Sequence, residues 1–195
     1  MALHRLQTVF CLGYHGCDEA VAEQILQGQT FRPSENNYDW LGHGIYFWEA
    51  NPKRGLDFAR EVKSKRPASK ITKPTVIGAI IDLGLCLDLT TLASIEQVRI
   101  AYSYLKKVAA ENETNLPKNK KDGLRRHLDC SVIEALHDIR REQGEPSLDS
   151  VKGIFIEGSP IYETAGFFEK THIQICVRNP DCIKGVFRVA NRFLD

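Results

Sequence analysis

Leu41-Gly42-His43-Gly44-Ile45-Tyr46-Phe47 is the stretch on which the reading of this chain turns. Two glycines spaced by one residue mark a turn or a close approach of backbone. The β-branched and aromatic run that follows, Ile45 to Trp48, predicts a short strand leaving a loop. Upstream, Phe31 to Gly44 is polar and turn-rich, with Arg32-Pro33-Ser34-Glu35-Asn36-Asn37, and predicts that loop. Downstream, Asn51-Pro52 supplies an N-cap and a proline at the first helical position. The helix so begun has Leu56, Phe58, Ala59 and Val62 as its apolar stripe and lysines and arginines elsewhere.

Outward from this centre, Phe10 to His15 is a candidate strand running into Gly13-Tyr14-His15-Gly16. Asp18 can cap a short helix carrying Val21, Ala22, Ile25 and Leu26 on one side and stopped by Gly28. Thr75 to Asp82 has the composition of a buried strand. Leu92, Ile95, Val98, Tyr102, Leu105 and Ala109 recur at three- and four-residue steps and predict an amphipathic helix. Glu111 to Gly123 is polar, contains Pro117 and predicts a loop. Ser131 with Glu134 forms a capping box for a second helix, with Val132, Leu136 and Ile139 inward and Gly144 as its stop. Gly153–Ile156, His172–Val177 and Val186–Val189 read as strands. The fold class is α+β, in one domain over residues 1–195, with a helical insertion near 92–143.

The chain has 195 residues, of which 43% are hydrophobic and 26% charged, so disorder and low-complexity classes are excluded. No apolar run approaches the ~18 residues of a membrane-spanning helix. Met1 to Gly13 lacks a clear cleavage signal, and the chain reads as soluble and cytoplasmic. Cys11, Cys17, Cys86, Cys130, Cys176 and Cys182 include no C-x-x-C pair, which argues for reduced thiols and against a structural zinc site. Asp82 and Asp88 read as strand and turn residues rather than a metal pair, and no metal is expected. The net charge of +1 hides segregation: Lys53, Arg54, Arg60, Lys63, Lys65, Arg66, Lys70 and Lys73 form one basic cluster, and Lys118, Lys120, Lys121, Arg125 and Arg126 a second. Each suits an anionic ligand or a nucleic acid, or simply a solvated surface.

Three pieces carry chemistry when taken together: Tyr14-His15-Gly16, Gly42-His43-Gly44-Ile45-Tyr46-Phe47 some thirty residues on, and the late strand His172-Ile173-Gln174-Ile175-Cys176-Val177. These residues resemble the ADP-ribosyltransferases of the poly(ADP-ribose) polymerase and diphtheria-toxin clade, whose signature is His-Tyr-Glu. The likeness covers the first sixty residues well and the last strand loosely; the helical stretch 92–143 lies outside it. The resemblance implies a compact fold with a split mixed or antiparallel sheet around an NAD cleft, flanked by helices. It implies that the Gly16 backbone pairs with the nicotinamide carboxamide, that His15 bonds the adenosine ribose, and that Tyr46 stacks on nicotinamide with Phe58 opposite. Tyr14 and Gly44 belong to the same motifs, and Tyr38 or Trp40 would sit in a loop over the nucleotide. Neither His15 nor Tyr46 needs to titrate, so their work is positioning.

Gln174 stands where the resemblance places the glutamate. A glutamine carbonyl can accept a ribose hydroxyl but cannot act as a base. In that family such a replacement goes with mono- rather than poly-ADP-ribosylation, and sometimes with loss of activity. Glu157, Glu163 and Glu169, or His172 two residues before Gln174, are further candidates for proton transfer, against a surface or structural role. The expectation is an NAD-dependent mono-ADP-ribosyltransferase acting on a macromolecular acceptor, protein or nucleic acid, in the manner of a bacterial or phage-type toxin with an antitoxin partner. The alternatives are an NAD or ADP-ribose reader without turnover, an NAD glycohydrolase, and a plain α+β domain. A related RNA 2′-phosphotransferase needs His and Arg residues that are not found. No Walker loop, nucleophile elbow or H-E-x-x-H motif is present.

Overall fold

The computed structural model describes residues 10–65, 69–121 and 123–194. Residues 1–9, where the reading of a leader turns, and Arg66 of the first basic cluster lie outside them. β1 (Cys11–Asp18) runs directly into α1 (Glu19–Leu26), for which Asp18 is the N-cap, its side chain accepting from Ala20 N. β2 (Ile45–Glu49) is followed by α2 (Pro52–Lys65), with the Asn51 side chain accepting from Arg54 N at 3.0 Å. Then come β3 (Pro74–Ile81), β4 (Cys86–Asp88), α3 (Leu92–Glu111), α4 (His127–Glu142), β5 (Ser150–Phe155), β6 (His172–Val177) and β7 (Ile183–Arg188).

The strands form one seven-stranded mixed sheet in the order β4-β5-β6-β2-β1-β3-β7. The β4–β5 pair is parallel and the others are antiparallel. The α+β class therefore holds. Alternation along β6 shows how the sheet serves two cores. Ile175 and Val177 join Ile25, Phe31, Phe47 and Ile77 on one face, while Cys176 joins Leu41, Ala101, Val132, Leu136 and Val151 beneath α3 and α4 on the other. α2 lies on this second face, where the Trp48 ring of β2 meets Phe58 of α2 at 4.8 Å. Among the described residues no helix is long and apolar enough to cross a membrane.

Several local expectations are corrected. The most buried residues of α3 are small or polar, namely Ser94, Gln97, Ala101 and Ala109, with Val98 and Leu105 packed beside them, whereas Leu92 is 90% exposed. Of the expected stripe, Val98, Leu105 and Ala109 do face the core, while Leu92, Ile95 and Tyr102 are exposed. α4 starts at His127, ahead of the expected capping box, and Arg126 at its N-cap makes no side-chain cap bond. The Ser131 hydroxyl instead donates to the His127 carbonyl within the helix, and Glu134 holds the 41–44 loop. Asp88, expected as a strand or turn residue, ends β4, a short edge strand beside β5.

Gly16 sets how closely α2 approaches the sheet. A Cβ there would lie 2.0 Å from the Gly55 carbonyl oxygen and 3.4 Å from Ala59 Cβ. Because the nearest obstacle is backbone, relief requires moving the helix. Gly16→Ala is expected to cost about 1–3 kcal/mol, the usual penalty for overpacking. Urea unfolding checks this; an unchanged midpoint would show that α2 is free to shift.

Candidate functional site

A cleft of about 340 Å³ opens on the sheet face that carries α2, where β1 and β2 part. It is within the size range of small-molecule sites. His15, Gly16, Tyr38, Gly44, Tyr46, Phe58 and Gln174 all line it. Tyr14 does not: its ring packs edge-on against Phe187 of β7 at 6.2 Å.

The opening follows from hydrogen-bond parity. The β1–β2 ladder comprises Gly13–Glu49 and Tyr14–Trp48 and then stops. Ala50 N donates to Leu12 O, so the even-numbered residues of β1 direct their backbone groups toward β2, while the odd ones bond β3. Gly16 is the next even residue. Its N–H and C=O therefore point into the space that β2 has left. The glycine is needed for the close approach of α2, a constraint separate from the ligand access that the resemblance implies.

His15 spans the parted strands. Its Nδ1 donates to the Tyr46 carbonyl at 2.8 Å, and its ring packs edge-on to Phe31. Burial lowers its pKa from the ordinary histidine value, partly opposed by that hydrogen bond. The ring is neutral at pH 7, and with the proton on Nδ1, Nε2 is left as an acceptor.

Tyr46 works as an anchored platform. Its hydroxyl donates to Gly42 O at 2.8 Å and accepts from Leu41 N at 3.0 Å. Burial raises its pKa well above the ordinary phenol value, so it stays protonated. The same loop is tied to α4: Glu134 accepts from His43 N and from Arg178, and Arg178 also donates to His43 O. Gly44 fits because a Cβ there would meet Cys176 Sγ at 2.6 Å and Val177 O at 2.7 Å.

Gln174 lies in the cleft but is already engaged. Trp40 Nε1 donates to its Oε1 at 2.5 Å. The Trp40 ring in turn packs on Phe155, and the Arg126 guanidinium lies over both rings, 4.4 Å from the Phe155 centroid. Arg126, read in sequence as part of a basic cluster, is thus a packing residue. His172 does not line the cleft. It is 5% exposed and stacked on Phe155, its Nδ1 donates to Lys170 O, and burial lowers its pKa, so it is no exposed acid–base group.

The carboxylate most firmly built into the cleft wall is Glu157, with its side chain 11% exposed and paired to Arg54 at 2.7 Å. Lys170 pairs with Glu61 at 2.9 Å and lies 3.8 Å from Glu157, closing a four-membered charge network. Arg54 Nε and Nη1, and Trp48 Nε1, are buried in the same wall with no hydrogen-bond partner among the described residues. Such donors stand ready for an acceptor atom of a ligand or water. Glu163 and Glu169 do not line the cleft, and Glu169 accepts from Ser159 N in its own loop.

Arg54 and Trp48 were not read from sequence as site residues. The signal was present in the spacing of α2, where Arg54, Phe58, Glu61, Val62 and Lys65 share one face at helical steps and all line the cleft. Lys65, Arg32 and Arg125 bring positive charge to its rim. Among the described residues no three His, Cys, Asp or Glu side chains gather as a metal site requires.

No family model matches the chain, and no solved structure matches it. It is similar to an uncharacterized protein of Methanocaldococcus jannaschii, 24% identical over 185 residues covering 88% of this chain and 83% of the archaeal one.

Three histidines make the protein sensitive to mild acid. Burial lowers the pKa of His15 and His172, and burial with the Arg178 charge lowers that of His137 from 6.5 to about 4. A depressed folded-state pKa favours the fold above the unfolded value and is lost as pH falls below it. Stability should therefore decline from pH 7 to pH 5, and His137→Gln should flatten that decline. Urea midpoints across this range check it; a midpoint that holds or rises on acidification contradicts the assignment.

Proposed function

We propose that the cleft binds NAD and transfers its ADP-ribose to a macromolecular acceptor with release of nicotinamide, as a mono-ADP-ribosyltransferase. The observation that carries the reading is the free backbone edge of Gly16, set in the gap between His15 and Tyr46. One residue of extended chain offers an N–H and a C=O side by side, and a carboxamide offers the complementary pair. The neutral Nε2 of His15 accepts a ribose hydroxyl. Tyr46 and Phe58 supply aromatic surface, and Arg32, Lys65 and Arg125 on the rim suit the two phosphates of a dinucleotide.

In the transfer, the bond from ribose C1′ to the pyridinium nitrogen breaks with its electron pair on nitrogen, which neutralises the ring. A bond from C1′ to an acceptor nitrogen or oxygen forms, and the acceptor proton leaves. Positive charge grows on the ribose meanwhile, and a fixed carboxylate in the wall stabilises it. Gln174 cannot take a proton, and its carbonyl is held by Trp40. Glu157 is the group assigned to both tasks. The engagement of Gln174 also favours a second reading, in which the cleft holds NAD or ADP-ribose without turning it over.

Incubation with adenine-labelled NAD, with and without cell lysate, tests the proposal. Label should become fixed to macromolecules, with nicotinamide released in equal amount. His15→Ala should lower the rate on the order of 10²-fold through lost positioning, and Glu157→Gln on the order of 10²- to 10⁴-fold through lost proton transfer. Free ADP-ribose alone would indicate a glycohydrolase. Binding without turnover would indicate the reader, and absence of NAD binding would overturn the assignment.

A further inference from the structure

We infer that the acceptor presented to this cleft is a single-stranded nucleic acid, bound along a basic rim built from two clusters that are far apart in sequence. The inference rests on the NAD-transfer reading and adds to it the substrate class. The first cluster reaches the cleft through Lys65, on the last turn of α2, and the second through Arg125 in the segment before α4; both line the cavity. The rest of the second cluster is held beside that point. Lys120 N donates to Arg125 O at 2.9 Å, and the Asn119 side chain accepts from Leu128 N at the start of α4. The turn carrying Lys70 is fastened to the end of β1, where Asp18 accepts from the backbone of Thr72 and Lys73.

Part of the charge in the two clusters has no carboxylate opposite it. Elsewhere Arg99 pairs with Glu96, Arg141 with Asp138 and Arg188 with Glu23, and within the first cluster Lys73 pairs with Glu19 and Arg60 with Asp57. Among the described residues, exposed Arg32, Lys65, Lys70, Lys118, Lys120 and Lys121 have no ion-pair partner. A dinucleotide brings two phosphates, which the cleft-lining cations already serve. Lys70, Lys118, Lys120 and Lys121 do not line the cleft, and a chain of phosphates is the ligand that rewards cations outside a dinucleotide site. An acceptor base that enters the cleft must be unpaired, as for enzymes that act on a base outside the stack. In the step itself, a nitrogen or oxygen of the strand bonds to ribose C1′ as nicotinamide leaves with the C1′–N electron pair, and the proton of the acceptor passes to Glu157.

The test uses the full chain, a mixed-sequence single-stranded DNA 20-mer, the same sequence as RNA, and the duplex. Binding is measured by fluorescence anisotropy without NAD at several salt concentrations. NAD affinity is measured separately by calorimetry. Tight binding of single strands over duplex is expected. The variant Lys118→Glu/Lys120→Glu/Lys121→Glu should lose at least about tenfold in strand affinity and about 2 in the salt slope, with NAD affinity unchanged. Labelled NAD should then mark the oligonucleotide. Equal strand binding by the triple variant, or label appearing on protein while oligonucleotide stays unmarked, overturns the inference. Strand binding without NAD binding would instead sink the transfer reading and leave the basic rim standing.

Discussion

A single side-chain hydrogen bond closes a gap that the backbone leaves open. Where β1 and β2 stop pairing after Tyr14–Trp48, the next backbone pair would be Gly16 with Tyr46. His15 replaces it by donating from Nδ1 to the Tyr46 carbonyl. The strands can part without leaving that carbonyl unsatisfied, a cost that buried polar groups otherwise exact. Gly16 is left with its own groups directed into the opening. The same bond fixes the imidazole tautomer, so one contact determines both the shape of the cleft and the acceptor it offers.

Each wall of the cleft is braced from behind by a different element. Tyr46 pins the 41–44 loop, and Glu134 on α4 and Arg178 beyond β6 pin it from the other side. Trp40 joins this loop to Gln174 on β6. Across the opening, Arg54 and Glu61 of α2 are clamped to Glu157 and Lys170 of the segment between β5 and β6. These bonds run between segments distant in sequence, so the site depends on the complete sheet. Pre-set geometry of this kind is what positioning catalysis needs.

The centre of the site was legible because it is written in short-range patterns. Gly42-x-Gly44 before a β-prone run gave β2 and its loop, and Asn51-Pro52 gave the start of α2. His15, Gly16, Tyr38, Gly44, Tyr46, Phe58 and Gln174 do share one cavity. What stayed hidden depends on partners from elsewhere in the chain. Arg54 and Arg126 read as surface charge, since only the folded chain sets Glu157 beside one and two aromatic rings beneath the other. Glu134 followed Ser131 at the spacing of a capping box, and its partners 91 and 44 residues away cannot be read from local sequence. Tyr14 shares a motif with His15, but its ring packs on Phe187 of β7, a partner that local sequence does not reveal.

The central claim is that the free edge of Gly16 receives a carboxamide. Nuclear magnetic resonance on uniformly ¹⁵N-labelled protein, titrated with nicotinamide alone, addresses it without requiring turnover. The account predicts that the Gly16 amide proton moves downfield on saturation and becomes protected from solvent exchange, while the Gly13 amide, already bonded to β3, changes little. Saturable shifts confined to residues outside the cleft, with the Gly16 amide unmoved, would contradict it.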